Sequence, residues 1–209
     1  MACNVTETKW VIPTEEPATE AVTLRLATPD DAQALALVGA ATFLEAFTWM
    51  LPGADIIAHC AKNHTPEAYR AALAQPQTRI TLAVTATGGS PVGYAMLAAP
   101  DLPSIGVQRG DIELKRIYLL ARFRSRRTAP VLDSSGKPIA DLSAGQALMN
   151  AAIAEASAMG CQRLLLGTNA DNQRAIGFYR RNGFSDAGTR SFQVGSQCCC
   201  DLIMARDLS

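Results

Sequence analysis

Strand-like and helical segments alternate along the second half of the chain, and this order constrains the fold more than any other feature. Residues 112–120 form a long candidate strand, residues 144–159 carry apolar side chains at helical spacing, residues 163–166 are a short apolar strand, and residues 172–182 are a candidate helix followed by Gly183. A helix between two strands of one sheet lets those strands run parallel. The order therefore predicts an α/β domain with a partly parallel sheet.

The first half of the chain predicts further strands and helices. Residues 22–26 alternate as a strand, and Thr28-Pro29-Asp30-Asp31 and Thr65-Pro66-Glu67 have the hydroxyl and proline that begin helices. Residues 80–84 and 91–97 are strands joined by a Gly-Gly turn, and residues 184–194 and 199–204 are two closing strands. We expect a single mixed sheet with helices on its faces.

Composition excludes several classes of protein. The 209 residues are 48% hydrophobic, enough for the core of one domain, while residues 1–20 lack periodicity and predict a flexible tail. Lys+Arg 19 equals Asp+Glu 19, which argues against nucleic acid or a membrane surface as the general partner. There is no apolar run of about eighteen residues and no leader-like start, so we expect a cytoplasmic protein. Two histidines and six cysteines without a C-x-x-C pair predict no metal site.

Arginines follow the long strand at positions 122, 124, 126 and 127. Each guanidinium can bind phosphate with two parallel hydrogen bonds, so the cluster is a candidate anion site. A solvated loop and an RNA contact are the alternatives.

Small residues begin the helix at Ser143-Ala144-Gly145-Gln146. Its first amides are left uncovered and, with the helix dipole, can bind an anion. The same four residues also fit a capping box in which Gln146 reaches back to Ser143.

The run Asn172-Gln173-Arg174-Ala175-Ile176-Gly177-Phe178-Tyr179-Arg180-Arg181-Asn182-Gly183-Phe184 completes a recognisable arrangement. A strand, an arginine loop, a helix with bare amides, a short strand and N-x-x-A-x-x-x-Y-x-x-x-G-F resemble the Gcn5-related N-acetyltransferase (GNAT) superfamily over residues 22–207. The resemblance implies a mostly antiparallel central sheet with one parallel, splayed strand pair and helices on both faces. The segments RLATPDDAQALALVGAATFLEAF and RSFQVGSQCCCDLIMARDL also resemble the bacterial polyamine acetyltransferases.

The resemblance implies acetyl-CoA as co-substrate and an amine as acceptor, with a homodimer left open. Backbone groups of Ile117, Tyr118 and Leu119 would bind the pantetheine arm, and the Leu119 N–H would polarise the thioester carbonyl. Tyr179 would protonate the leaving thiolate. The remaining implied cofactor contacts are Arg124, Ser125, Arg126, Arg127, Ser143, Ala144, Gly145, Gln146, Asn172 and Phe178.

Glu113 is the candidate general base, because family members often carry a carboxylate on this strand. Period two puts Glu113 and Lys115 on one face, so a local ion pair is the alternative. Substrate contacts are expected from residues 43–59 and from Tyr94, where Glu45 and Asp55 are available to a polycation.

The chain departs from the family pattern in the pyrophosphate loop, where residues 128–142 are an insertion. Aspartate, serine and glycine within the insertion predict a small hairpin, and closing a longer loop costs little because the entropy grows only logarithmically. The two ends of the insertion must stay close if the arginines and the helix amides are to share one pyrophosphate. Within this class, a small amine or polyamine is the leading acceptor. Alternatives are a protein N-terminus or lysine as acceptor, and an acyl-CoA sensor without turnover.

Overall fold

The computed structural model describes residues 20–124, 131–132, 135–138, 142–194 and 197–208. The predicted tail therefore lies almost wholly outside the described residues. The strands are β1 Val22–Leu26, β2 Arg79–Thr85, β3 Pro91–Ala98, β4 Asp111–Leu119, β5 Val131–Leu132, β6 Arg163–Asn169, β7 Ser185–Val194 and β8 Gln197–Asp207. The helices are α1 Ala32–Phe47, α2 Gly53–Asn63, α3 Pro66–Leu73, α4 Ala121–Arg124, α5 Ala144–Ala158 and α6 Gln173–Arg181, with a 3-10 turn at Pro29–Asp31.

All eight strands lie in one sheet, in the order β5-β1-β2-β3-β4-β6-β8-β7. The ladders are antiparallel except for β4 with β6 and for the two-residue strand β5 with β1. The predicted mostly antiparallel sheet with a parallel pair in its centre is therefore confirmed. The described part of the insertion adds a short edge strand to β1, while the predicted hairpin depends on positions 133–134 and 139–141, which lie outside the described residues.

Helices cover both faces of the sheet, as predicted. Successive strand residues point to opposite faces. Ala83 and Ala95 pack with α5 in the larger core, whereas their neighbours Leu82 and Tyr94 pack with α1 and α3 in a second core. Helix α6 joins the α5 side through Ile176, which is 3% exposed.

Strand β4 contains one extra residue near the centre of the sheet. Leu97 pairs with Leu114 and Met96 pairs with Arg116, so Lys115 has no paired residue on β3 and forms a β-bulge. Such a bulge bends its strand and increases the local twist. Strand β4 pairs with β6 only over residues 111–113, just before the bulge. Beyond this point the two strands diverge, which confirms the predicted splayed pair and leaves a gap between their carboxyl-terminal ends.

Local signals begin and end the helices as the sequence predicts. The Thr65 hydroxyl accepts a hydrogen bond from Ala68 N at 3.1 Å, and Gly183 ends α6 with φ of 81°. None of the helices in the described part of the chain is both long and apolar enough to cross a bilayer.

Candidate active site

The end of β4 presents a free backbone N–H to the gap. Leu120 donates to Val92 O of β3 at 2.9 Å, and Gly93 lies opposite Leu119. Because bonded and non-bonded pairs alternate in an antiparallel ladder, the N–H of Leu119 and the polar groups of Ile117 point away from β3, towards β6. The same alternation turns the backbone of Tyr118 to β3. The expectation that Tyr118 offers free backbone groups is therefore wrong in this register.

Arg124 has a different role from the predicted phosphate contact. Its Nε donates to Leu119 O at 2.6 Å and its Nη2 to Glu45 Oε2 at 2.6 Å. Glu45 also accepts from the N–H of Ala121 at the start of α4, at 3.0 Å. This guanidinium thus fixes the end of β4 against α1, and Glu45 is occupied rather than available to a polycation. Ser125, Arg126 and Arg127 lie outside the described residues, so their phosphate contacts stay predictions.

The start of α5 lies beside this corner. A Cβ built on Gly145 would be 3.6 Å from Arg124 O, so described residues on either side of the insertion lie close together, as the phosphate hypothesis requires. The Ser143 hydroxyl accepts from Gln146 N at 3.3 Å, which leaves the amides of Ala144 and Gly145 without an intrahelical acceptor.

The predicted capping box is only half formed. The Gln146 side chain does not return to Ser143 but donates to Asn182 Oδ1 at 2.5 Å and to Asn150 Oδ1 at 2.9 Å. The contact with Asn182 ties the start of α5 to the end of α6.

Helix α6 contributes the remaining predicted residues. The Asn172 side chain caps the helix by accepting from Ala175 N at 3.1 Å, so a structural role explains it fully. Phe178 and Tyr179 are partly buried against the larger core, with ring centroids 5.7 Å apart. The Tyr179 ring also meets Phe184 edge-on at 5.9 Å. These contacts hold the Tyr179 ring in one place.

The Tyr179 hydroxyl forms no hydrogen bond to another described residue. Burial raises the pKa of Tyr179, and the Tyr118 hydroxyl and the Asp201 carboxylate raise it further. Tyr179 packs on the α5 side of the sheet, whereas Tyr118 packs with the opposite core. The two tyrosines therefore belong to opposite faces of the sheet.

Glu113 is engaged by two structural partners. It is 3% exposed, it pairs with Lys115 Nζ at 2.7 Å, and it accepts from Asp101 N at 2.8 Å. The ion pair that was the alternative to a catalytic base is present, and the geometry favours it, because the buried carboxylate is already engaged by Lys115 and by the Asp101 amide.

A buried ion pair on the far side of the gap was not predicted from the sequence. Asp201 of β8 is 5% exposed and accepts from Arg190 of β7 at 3.1 Å. A Cβ on Gly167 would lie 3.1 Å from the Asp201 carboxylate, so glycine makes room for this pair. Burial raises the pKa of Asp201, and the Arg190 charge opposes that rise. An aspartate within the apolar run of β8 was the available signal.

A second group lies on the α1 side of β3 and β4; we call His64, Tyr69, Tyr94, Arg116 and Tyr118 the tyrosine–histidine cluster. The sequence named Tyr94 and Tyr118 as site residues but did not predict that these five side chains lie together. Tyr69 is its centre: its hydroxyl donates to Tyr94 at 3.0 Å, lies 2.9 Å from His64 Nδ1, and accepts from Arg116 Nη1 at 3.3 Å. Tyr69 and Tyr94 are 1% and 0% exposed, so these bonds are shielded from water. A Cβ on Gly39 of α1 would collide with both His64 and Tyr69.

Both histidines are held in the neutral form. Burial, followed by the Arg116 charge, lowers the pKa of His64 to about 3, and burial also lowers that of His59. The His59 ring stacks on Phe43 at 4.0 Å, whereas Nε2 of His64 is buried without a hydrogen-bond partner. The stacked rings of His59 and Phe43 therefore form an apolar surface next to the tyrosine–histidine cluster.

The gap between β4 and β6, the Leu119 N–H that faces it, the uncovered amides at the start of α5 and the partly buried Tyr179 together form the candidate site. The acetyltransferase (GNAT) family model matches residues 141–184, from the start of α5 through α6. Uncharacterized N-acetyltransferases of Mycobacterium bovis and Mycobacterium tuberculosis are each 32% identical over 178 residues, which is 85% of this chain and 98% of theirs. The chain belongs to the GNAT family of N-acetyltransferases.

Solved structures have the same fold at low identity. The PaiA N-acetyltransferase of Thermoplasma acidophilum, in complex with coenzyme A, superimposes with a TM-score of 0.63 at 16% identity, over 89% of this chain and 98% of that one. A GCN5-related N-acetyltransferase of Rhodopseudomonas palustris gives 0.60 at 15% identity, over 92% and 99%. These likenesses support the fold and leave the acceptor of this chain open.

Proposed function

We propose that this enzyme transfers the acetyl group of acetyl-CoA to a small primary amine, by direct attack of the amine on the thioester. The observation that carries the proposal is the gap between β4 and β6, with the Leu119 N–H facing it and Tyr179 anchored beside it. No covalent enzyme intermediate is required, because the attacking amine is itself the nucleophile.

The residues around the gap fit the co-substrate. Polar backbone groups of Ile117 and Leu119 can bind the pantetheine amides as an added strand would. The amides of Ala144 and Gly145, at the positive end of the α5 dipole, suit the pyrophosphate. Arg126 and Arg127 stay the proposed phosphate ligands, whereas Arg124 is committed to Glu45 and Leu119.

The chain supplies two groups to the reaction. The Leu119 N–H points where negative charge develops on the thioester oxygen, and a donor of this kind is worth about 3 kcal/mol in other enzymes. Tyr179, whose ring is held by Phe178 and Phe184, can give its proton to the departing thiolate as the thioester C–S bond breaks. Glu113 is held by Lys115 and Asp101, and we do not propose it as the base. The amine attacks in its neutral form after losing its proton to water, and Tyr179 regains a proton from water once the thiol has left.

Tyr179→Phe tests the acid role. We expect turnover to fall by roughly 10²- to 10⁴-fold, the usual contribution of a positioned acid, in an assay of thiol release from acetyl-CoA with a panel of amines. Coenzyme A binding measured by calorimetry is the control and should change little, since the ring packing is kept. Unchanged turnover would remove Tyr179 from the mechanism.

The same panel separates the alternatives. Spermidine, spermine and an N-terminal or lysine peptide belong in it beside small amines. Tight coenzyme A binding without turnover of any member would favour an acyl-CoA sensor. Retention of an unpartnered tyrosine beside the gap supports catalysis instead.

A further inference from the structure

Arg116 is a partly buried cation whose only described partners are uncharged. Its Nη1 donates to the Tyr69 hydroxyl at 3.3 Å, and its guanidinium lies 5.8 Å from the centre of the Tyr69 ring. Tyr69 already bonds Tyr94 and His64. A guanidinium has five N–H donors, so most of its hydrogen-bonding capacity is left for another acceptor.

No carboxylate among the described residues compensates this charge. The nearby acids form ion pairs with other residues: Glu113 with Lys115 at 2.7 Å, and Asp201 with Arg190 at 3.1 Å. The tyrosines around Arg116 stay neutral at pH 7, since burial raises the pKa of Tyr69 and raises that of Tyr118 to about 12. Buried cations in proteins are normally paired with an anion.

The position of Arg116 connects it to the reaction. It precedes Leu119 by three residues on β4, about 10 Å along the strand at 3.3 Å per residue. Because of the bulge at Lys115, the Arg116 side chain lies on the α1 side of the sheet, as does that of Tyr118. Helices α5 and α6 pack on the opposite face of the sheet, whereas Arg116 and Tyr118 lie on the α1 side.

We propose that Arg116 binds an acidic group of the acceptor, so that the preferred substrate of this enzyme is an amine that also carries a carboxylate. The guanidinium donates two parallel hydrogen bonds to the carboxylate while the amine of the same molecule lies at the Leu119 end of β4. The ring of Phe47, whose centroid is 6.5 Å from that of Tyr118, and the neutral His59 on Phe43 add apolar walls for the carbon skeleton between the two groups. A polyamine is disfavoured, because it would place a second cation beside Arg116.

This inference rests on the proposed function but can be tested apart from it. Matched acceptors would be glycine, β-alanine and 4-aminobutyrate, each against its carboxamide, with spermidine as the polycation. Thiol release would be measured for wild type, Arg116→Gln and Arg116→Lys. Arg70→Gln is the matched control, because it removes the same charge from the residue next to Tyr69, where Arg70 makes only an exposed pair with Glu67 at 3.3 Å.

We expect wild type and Arg70→Gln to prefer at least one carboxylate over its carboxamide by about tenfold or more in kcat/KM, the usual effect of a hydrogen bond to a charged group. Arg116→Gln should lose that preference while it still turns over the carboxamide, which shows that it is folded. Arg116→Lys should keep part of the preference, because it keeps the charge but not the planar fork.

Equal use of carboxylates and carboxamides by the wild type, or a preference for spermidine, would overturn the proposal and leave the acetyltransferase function intact. Calorimetry with the same pairs on coenzyme A-loaded protein tests the inference without turnover. Carboxylate binding that depends on Arg116 supports it even if the panel is silent, and equal or absent binding of both members of every pair overturns it.

Discussion

Acidification should destabilise this enzyme through His64. His64 is 7% exposed and its pKa is about 3 in the folded protein, mainly because burial disfavours the charged ring. In the unfolded chain the same ring titrates near the ordinary value of about 6.5. As the pH falls below 6.5, His64 binds a proton in the unfolded chain but stays neutral in the folded protein. The stability associated with neutral His64 is therefore complete above pH 6.5 and is lost progressively as the pH approaches 3.

The magnitude follows from the difference in proton uptake. Each pH unit between the two pKa values costs about 1.4 kcal/mol. Between pH 7 and pH 5 the free energy of unfolding should therefore drop by about 2 kcal/mol on account of His64 alone, and this is a large part of the stability of a typical domain.

Urea denaturation followed by circular dichroism at pH 7, 6 and 5 measures this loss. His64→Gln keeps a polar end near the Tyr69 hydroxyl but cannot titrate, so it should be less stable than wild type at pH 7 and should lose about 2 kcal/mol less on going to pH 5. His59→Gln is the comparison, since the chain has only these two histidines: it removes the contribution of His59, whose pKa burial also lowers, and should keep the loss of about 2 kcal/mol that belongs to His64. Parallel pH dependences for wild type and His64→Gln would refute the reasoning.

Two further substitutions test the end of β4. Gly93→Ala should lower the free energy of unfolding by roughly 1–3 kcal/mol and reduce turnover. The new Cβ would lie 2.5 Å from both Tyr118 O and Leu119 Cδ1, so the end of β4 would have to shift. A thermal melt within 1 °C of wild type would contradict this packing. Glu113→Gln should lower the free energy of unfolding by about 1–3 kcal/mol, since Lys115 loses its partner, yet change kcat only a few-fold. A thousandfold fall in kcat with intact folding would instead restore Glu113 as the base.

Local patterns predicted most of the fold. Caps such as Thr65 and the glycine after α6 act within a few residues, and strand and helix periods depend on nearest neighbours along the chain, so both are visible in a single sequence. The bulge at Lys115 had a local signal as well. The buried apolar residues of β4 that share a face, Ile112, Leu114 and Leu119, do not keep a period of two, because the step across the bulge adds one residue.

The parts of the site that could not be predicted depend on contacts between distant residues. The Arg124 guanidinium meets Glu45, 79 positions earlier, and Arg116 meets Tyr69, 47 positions earlier. Motif spacing carries no information about such pairs, so it assigned Arg124 to phosphate and gave Arg116 no role. By contrast, the ring contacts of Tyr179 with Phe178 and Phe184 lie within one helix and its cap, so a short motif contains all three residues, while the catalytic role of Tyr179 stays a prediction.

The unpaired residue of β4 also limits how an enzyme of this design can diversify. Deleting Lys115 would make Leu114 and Arg116 neighbours, opposite Leu97 and Met96, so Arg116 and Tyr118 would stay on the α1 side. The deletion would remove the bulge and let β4 continue its pairing with β6 beyond residue 113, which would close the gap between the two strands. The gap therefore depends on the number of residues in β4, whereas the side chains that line its α1 side depend on their identity, so a point substitution at position 116 can change one without the other.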